Sequence, residues 1–115
     1  MDFTKMNKVV ATFKNAKKDL PFKKANEITL NEIYRVNGIF STNSKFGIRY
    51  FVSLEKNNDF FNFVLPIGQN ENAKMICSDV DCVEAINKGE CGVKIDIYYS
   101  KKYNCECVNI EWANI

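Results

Sequence analysis

The stretch IRYFVSLEKNNDFFNFVLP, residues 48–66, decides the fold. Aromatic and β-branched residues alternate with polar ones on both sides of the tetrapeptide Lys56-Asn57-Asn58-Asp59. Alternation with a period of two is typical of a half-buried strand, and asparagine and aspartate favour turns. The stretch therefore predicts a β-hairpin with strands at 48–54 and 60–66.

The same strand pattern continues on both sides of this hairpin. A long first strand at 29–40 contains Gly38, which indicates a bend or bulge. The polar segment 41–47 is predicted to be a loop, and alternation predicts further strands at 93–99 and 108–112. Between the third and fourth strands, Ser78, Asp81 and Gly89 are cap signals for one short helix.

This order of elements predicts a mainly β fold. Three strands, a short helix and two further strands, with a long curved first strand, form the layout of a five-stranded barrel of the oligonucleotide/oligosaccharide-binding (OB) type. A different five-stranded meander is the alternative. The chain has 115 residues, of which 46% are hydrophobic and 26% charged, as expected for one globular core.

The first residues follow a helical pattern instead. Phe3, Met6, Val10 and Phe13 recur at helical spacing, which predicts an amphipathic helix at 3–18 that ends before Pro21. Seven lysines against two aspartates give residues 1–24 a charge of +5, which leaves −3 for the remainder of a chain whose total is +2. We therefore divide the chain into a basic helical extension, 1–24, and an OB-like domain, 25–115. The helix could meet a polyanion, an acidic partner or a second copy in a homo-oligomer, or its lysines could simply face solvent.

Composition argues against most enzyme classes. The chain has no histidine, which excludes Ser-His and Cys-His nucleophile pairs and mixed Cys/His zinc sites. Its five cysteines are odd in number and form no CxxC pair, so we expect reduced thiols, with no metal and no cofactor. There is no glycine-rich phosphate loop, no signal-peptide pattern and no apolar run that could span a membrane. These features predict a non-enzymatic protein in the cytoplasm or nucleus that is not secreted.

A protein that binds single strands needs cations for the phosphates and aromatic faces for the bases. Strand alternation points Arg49 and Phe51 away from the core, and two loops that contain lysine and aromatic residues flank that face. The alternative is that Phe51 or Phe60 packs beneath the N-terminal helix. We expect Trp112 to lie in the core. The candidate nucleic-acid-binding residues are Lys45, Phe46, Arg49, Phe51, Phe60, Asn62, Tyr98, Lys101, Lys102 and Tyr103.

Part of the chain resembles a known group of proteins. The motifs are Tyr34-Arg35-Val36, the loop 41–47, Arg49-Tyr50-Phe51-Val52 and the run 61–66. Over residues 30–66, and more loosely from 90 onward, they resemble small OB-fold single-stranded DNA-binding proteins of insect viruses and mobile elements. Asn43-Ser44 between Thr42 and Lys45, and the basic N-terminal helix, depart from that pattern.

The resemblance implies single-stranded DNA binding through Lys45, Phe46, Arg49 and the outer face of strands two and three. We therefore expect a protein that binds single-stranded DNA, or RNA as the alternative, with low sequence specificity during replication or recombination. The second hypothesis is a protein-interaction module of the same fold, an inhibitor or assembly factor. The modest net charge of the chain and the acidic balance of 25–115 favour that second hypothesis.

Overall fold

The computed structural model describes residues 13–14, 19–45 and 47–115. The strands are β1 (Ile33–Ser44), β2 (Gly47–Lys56), β3 (Asp59–Val64), β4 (Cys91–Ser100) and β5 (Cys105–Asn114). Two α-helices connect β3 to β4, namely α1 (Asn70–Ser78) and α2 (Val80–Asn87). Short 3₁₀ turns lie at Ala25–Glu27 and Ile67–Gln69. The prediction of a mainly β fold with five strands is confirmed.

The five strands form one antiparallel sheet in the order β3-β2-β1-β4-β5. β3 and β5 are therefore the outer strands, and no ladder joins them in the described structure. The predicted closed barrel is wrong in this respect, because closure requires the two outer strands to pair. The sheet is open between β3 and β5.

β1 bends at a β-bulge, as the length of the strand and Gly38 predict. The register with β2 shifts between Val36, which pairs with Leu54, and Gly38, which pairs with Ser53. Asn37 is the extra residue, and its Nδ2 donates to Glu55 Oε1 at 3.2 Å. A bulge bends its strand and increases the local twist. This bend lets β1 pair with β2 along most of its length and with β4 at its start.

The predicted loop 41–47 is mostly strand. β1 continues to Ser44, which pairs with Gly47 across a tight turn. Gly47 has a φ of +110°, a conformation that glycine adopts without a steric penalty. The predicted turn at 56–59 is confirmed, because Asn57 and Asn58 both have positive φ, as the tight turn of a two-residue hairpin requires.

Two helices lie between β3 and β4, where the sequence predicted one. The polar residues 70–72 begin α1 instead of extending a loop, and Asp79 separates α1 from α2. Asp79 is the true N-cap of α2, since its carboxylate accepts from the Asp81 and Cys82 backbone N–H groups. Gly89, with a φ of +76°, follows the end of α2 as predicted.

The core lies between the inner face of the sheet and the two helices. Its fully buried side chains include Val36, Val52, Leu54, Phe61, Leu65, Val83, Val93 and Ile95. The inward positions predicted for β3, Phe61, Phe63 and Leu65, are all buried. Trp112 is half-buried and packs against this core. The helices thus cover one face of the curved sheet.

Residues 21–30 lead from the edge of β3 to β4 before β1 begins. Lys23 N donates to Asn62 O at 3.0 Å, and Asn62 N donates to Pro21 O at 2.8 Å, so residues 21–23 pair with the free edge of β3. Further on, Asn31 N donates to Ile95 O of β4 at 2.8 Å. Ala25, Ile28 and Leu30 pack against the core. Lys24 and Ala25 of this segment lie at the opening between β3 and β5.

The predicted helix at 3–18 lies almost wholly outside the described residues. Only its positions Phe13 and Lys14 are described, and neither is helical. Phe13 packs against the core, and Lys14 N donates to Asn87 Oδ1 at 2.9 Å. Within the described part of the chain, no helix is long and apolar enough to cross a membrane.

Candidate functional site

A groove of about 900 Å³ opens where the sheet is not closed. It is lined by β3 and the residues that follow it, by β5, and by the start of the segment 21–30. Lys24 and Arg49 are its charged lining residues, and no carboxylate is among the described residues of the lining. The groove is therefore electropositive and suits an anionic ligand.

Arg49 supplies the central cation of this groove. It projects from β2 beside Pro66 and Ile67, at the end of the hairpin that carries β3. Its Nε is buried and has no hydrogen-bond partner among the described residues. Buried polar groups are nearly always paired, so the Arg49 guanidinium has an unused donor at Nε, which a ligand reaches when the side chain turns into the groove.

Two tyrosines from the β4–β5 hairpin complete the lining. Tyr98 is 51% exposed and Tyr103, in the turn that follows β4, is 67% exposed. Lys102 Nζ lies 5.3 Å from the centre of the Tyr103 ring. Tyr99, which alternation places on the opposite face of β4, does not line the groove. The hairpin thus presents two aromatic faces to the groove.

Nine of the ten predicted site residues are described, and they fall into three groups. Arg49, Tyr98 and Tyr103 come together in the groove, although they are distant in sequence. Lys45, Lys101 and Lys102 lie in exposed turns outside its lining. Phe46 lies outside the described residues.

The remaining three predicted residues lie on the outer face of β2 and β3. Phe51 stacks on Phe40 with ring centres 5.2 Å apart, and its ring meets the Phe22 ring edge-on at 5.5 Å. Asn62 is fully buried, and its Oδ1 accepts a hydrogen bond from Ser53 Oγ at 2.7 Å. Phe60 is 42% exposed, but it does not line the groove. Phe22 thus covers part of this face, while the N-terminal helix that the alternative interpretation placed over Phe51 lies almost wholly outside the described residues.

Sequence reasoning missed several residues of the groove. Lys24 was assigned to a separate extension, and Val64 and Ile67, both exposed, were not singled out. Gln69 also lines the groove, and its Oε1 accepts from Trp112 Nε1 at 3.0 Å. The alternation of β3 does place Val64 on the outer face, whereas no local pattern marks Lys24 or Gln69.

A cluster of thiols and hydroxyls lies at the rim of the groove. Cys107 lines the groove and pairs with Tyr98 across the β4–β5 ladder, so the two side chains lie side by side on one face. The pKa of Tyr98 is raised above its ordinary value, chiefly by electrostatic interaction with the adjacent Cys107. Cys105, Cys107 and Tyr98 therefore form one connected group of side chains.

A second cavity, of about 370 Å³, lies between the helices and the ends of β4 and β5. It is lined by Cys82, Cys91, Trp112 and mostly apolar neighbours. Burial raises the pKa of Cys91 to about 11, which keeps this thiol protonated. The cavity has no charged cluster comparable with that of the groove.

Comparisons with known proteins identify no family for this chain: no protein-family model, no curated protein and no solved structure matches it. The groove and its side chains are thus the basis for a functional assignment.

Proposed function

We propose that this protein binds single-stranded nucleic acid, with DNA as the expected ligand, in the groove between β3 and β5. The observation that carries the proposal is the unpaired, buried Nε of Arg49 in a groove that also exposes Tyr98 and Tyr103. A guanidinium group suits phosphate, and exposed aromatic rings provide surfaces on which unpaired bases stack.

The cationic side chains contact the phosphates, and the aromatic side chains contact the bases. Lys24 and Arg49 lie in the groove and contact the backbone, while Lys101 and Lys102 in the β4–β5 turn extend the positive surface beyond it. Tyr98 and Tyr103 each stack on one base. Because every base has a π face, such binding has low sequence specificity. A role in replication or recombination stays a prediction.

Fluorescence anisotropy of a labelled single strand of about thirty nucleotides, long enough for more than one site, tests this proposal. We expect binding that duplex DNA does not compete for and that weakens with salt, since each phosphate contact on a single strand contributes about −0.7 to the log–log salt slope. Comparison with an RNA strand of the same sequence shows whether the affinity depends on the sugar. Absence of binding at low salt would contradict the proposal.

Substitutions at the groove locate the site. Tyr103→Ala and Tyr98→Ala should each weaken binding by about 5- to 150-fold, the equivalent of about 1–3 kcal/mol for one stacked base. Tyr99→Ala is the matched control, because Tyr99 has similar exposure on the same hairpin but lies outside the groove. Equal losses from Tyr98→Ala and Tyr99→Ala would move the site away from the groove.

The unpaired edge of β3 favours a second candidate function, the pairing of β3 with a peptide strand. The Asn62 backbone bonds outward to residues 21–23, so by antiparallel alternation the Val64 N–H and C=O groups also point to the free edge. Val64 and Ile67 are 37% and 68% exposed beside it. A second copy of the chain is one source of such a strand. Light scattering would then detect a dimer that Val64→Pro abolishes, because proline has no N–H to donate.

A further inference from the structure

We propose that Cys105 and Cys107 form a binding site for a soft metal ion of the cuprous class, with the Tyr98 hydroxyl beside it. The two cysteines are two residues apart on β5, so both side chains lie on the same face of the strand while Glu106 points to the other face. A pair of thiols on a rigid strand is a preformed set of soft ligands.

The contacts of the two thiols bring them together. Cys107 Sγ donates to the Cys105 carbonyl oxygen at 3.9 Å, so its side chain turns back toward Cys105. Two side chains on one face of a strand, with one turned toward the other, can reach the same ion, since two metal–sulfur bonds of about 2.3 Å span about 4.6 Å between sulfurs.

The surroundings of the pair select the class of ion. Structural zinc takes four ligands, and no group of three or more potential metal-ligating Cys, Asp or Glu side chains occurs in the described residues. Histidine is absent from the whole sequence. Thiolate ligands favour the cuprous ion, which accepts low coordination numbers. Two thiolates therefore satisfy a cuprous ion where they would leave zinc incomplete.

Charge balance is favourable at this position. Binding of one cuprous ion by two thiols releases two protons and leaves a bis-thiolate complex with a charge of −1, without oxidation or reduction. Lys101 and Lys102 lie in the turn that leads into Cys105 and supply nearby positive charge. Cys105 is exposed and Cys107 is half-buried, so the ion can enter from solvent.

The chain contains a rival pair of thiols. Cys82 and Cys91 line the cavity of about 370 Å³ beside the helices. Both of these cysteines are half-buried, whereas Cys105 is exposed, so an ion reaches the pair on β5 more readily. The exposed pair on β5 is the better ligand set, and the buried pair provides a matched control.

The test is an anaerobic titration in which the full chain competes with a coloured chelator for the cuprous ion. Wild type should remove one equivalent from the chelator. Cys105→Ser and Cys107→Ser should each weaken binding by more than roughly tenfold, because even the loss of a residue that merely supports a metal ligand costs about 10- to 100-fold. The double variant Cys82→Ser/Cys91→Ser should bind as wild type does.

Two results would overturn the proposal. The first is equal cuprous affinity in wild type and in the Cys105→Ser/Cys107→Ser double variant, with both shown to be folded by circular dichroism. The second is loss of binding only in the Cys82→Ser/Cys91→Ser variant, which would move the site to the cavity. Cuprous binding and nucleic-acid binding are separate properties, because the titration contains no nucleic acid and the anisotropy experiment contains no metal.

Discussion

The two halves of the β3 edge have the same backbone pattern and different neighbours. At Asn62 the edge is closed, because residues 21–23 exchange two hydrogen bonds with it. At Val64, two residues further on, the edge borders the groove. The comparison shows that this chain closes part of its own open sheet with a short segment and leaves the rest accessible.

The chemistry of the two halves differs as well. The closed half carries the buried bond between Ser53 and Asn62, and Phe22 beside it packs edge-on against Phe51. The open half carries Arg49 and the tyrosines of the β4–β5 hairpin. Substitutions in the closed half should therefore change stability, and substitutions in the open half should change binding.

The largest effect is expected from Phe61→Ala in the closed half. Phe61 is fully buried, and its ring meets Tyr34 edge-on at 5.5 Å. Removing such a ring leaves a cavity and should lower the free energy of unfolding by about 3–5 kcal/mol. Urea denaturation measures this change in the free energy of unfolding. The control is Phe60→Ala at the exposed neighbouring position, which should change the free energy of unfolding by less than about 0.5–1 kcal/mol. Similar losses from both variants would show that β3 does not alternate as described.

A smaller effect should separate stability from binding. Asn62→Ala removes the acceptor for Ser53 Oγ in a fully buried position and should cost about 1–3 kcal/mol of unfolding free energy. Its affinity for single-stranded DNA should match that of wild type, measured at a temperature where both are folded. A loss of affinity as large as that of Tyr103→Ala would place the closed half in the binding site.

The smallest effect is expected from Lys23→Ala. Lys23 Nζ lies 2.6 Å from Asp59 Oδ2 and 5.0 Å from the centre of the Phe61 ring. Partly exposed ion pairs contribute about 0–1 kcal/mol, so the variant should lose at most about that much stability. The difference from wild type should shrink as salt is added to the urea titration. A difference that salt leaves unchanged would assign the effect to the ring contact instead.

Local sequence patterns predicted most of the fold. The alternation of residues 48–66 predicts the β2–β3 hairpin, and Gly38 predicts the bulge in β1. The pairing at the β3 edge is different in kind, because residues 21–23, and not β5, bond to Asn62 there. That is a contact between distant parts of the chain, and no local pattern indicates it. The polar character of residues 70–72 likewise concealed the start of α1.

The lining of the groove was predictable only in part. Strand alternation and loop composition mark three of its residues, Arg49, Tyr98 and Tyr103, whose role in binding stays a prediction. Asn62 was placed on an accessible outer face, and alternation could not show that the chain itself would bury this residue. Lys24 and Gln69 enter the groove through tertiary packing alone, so their role becomes visible only in the folded structure.

Trp112 gives the molecule a built-in optical signal. It is the single tryptophan of the chain, and its indole N–H is hydrogen-bonded to Gln69, a residue of the groove lining. Selective excitation of one indole therefore monitors the wall of the groove without any attached dye. A ligand that displaces Gln69 changes the emission of Trp112, so occupancy can be followed in the unmodified protein.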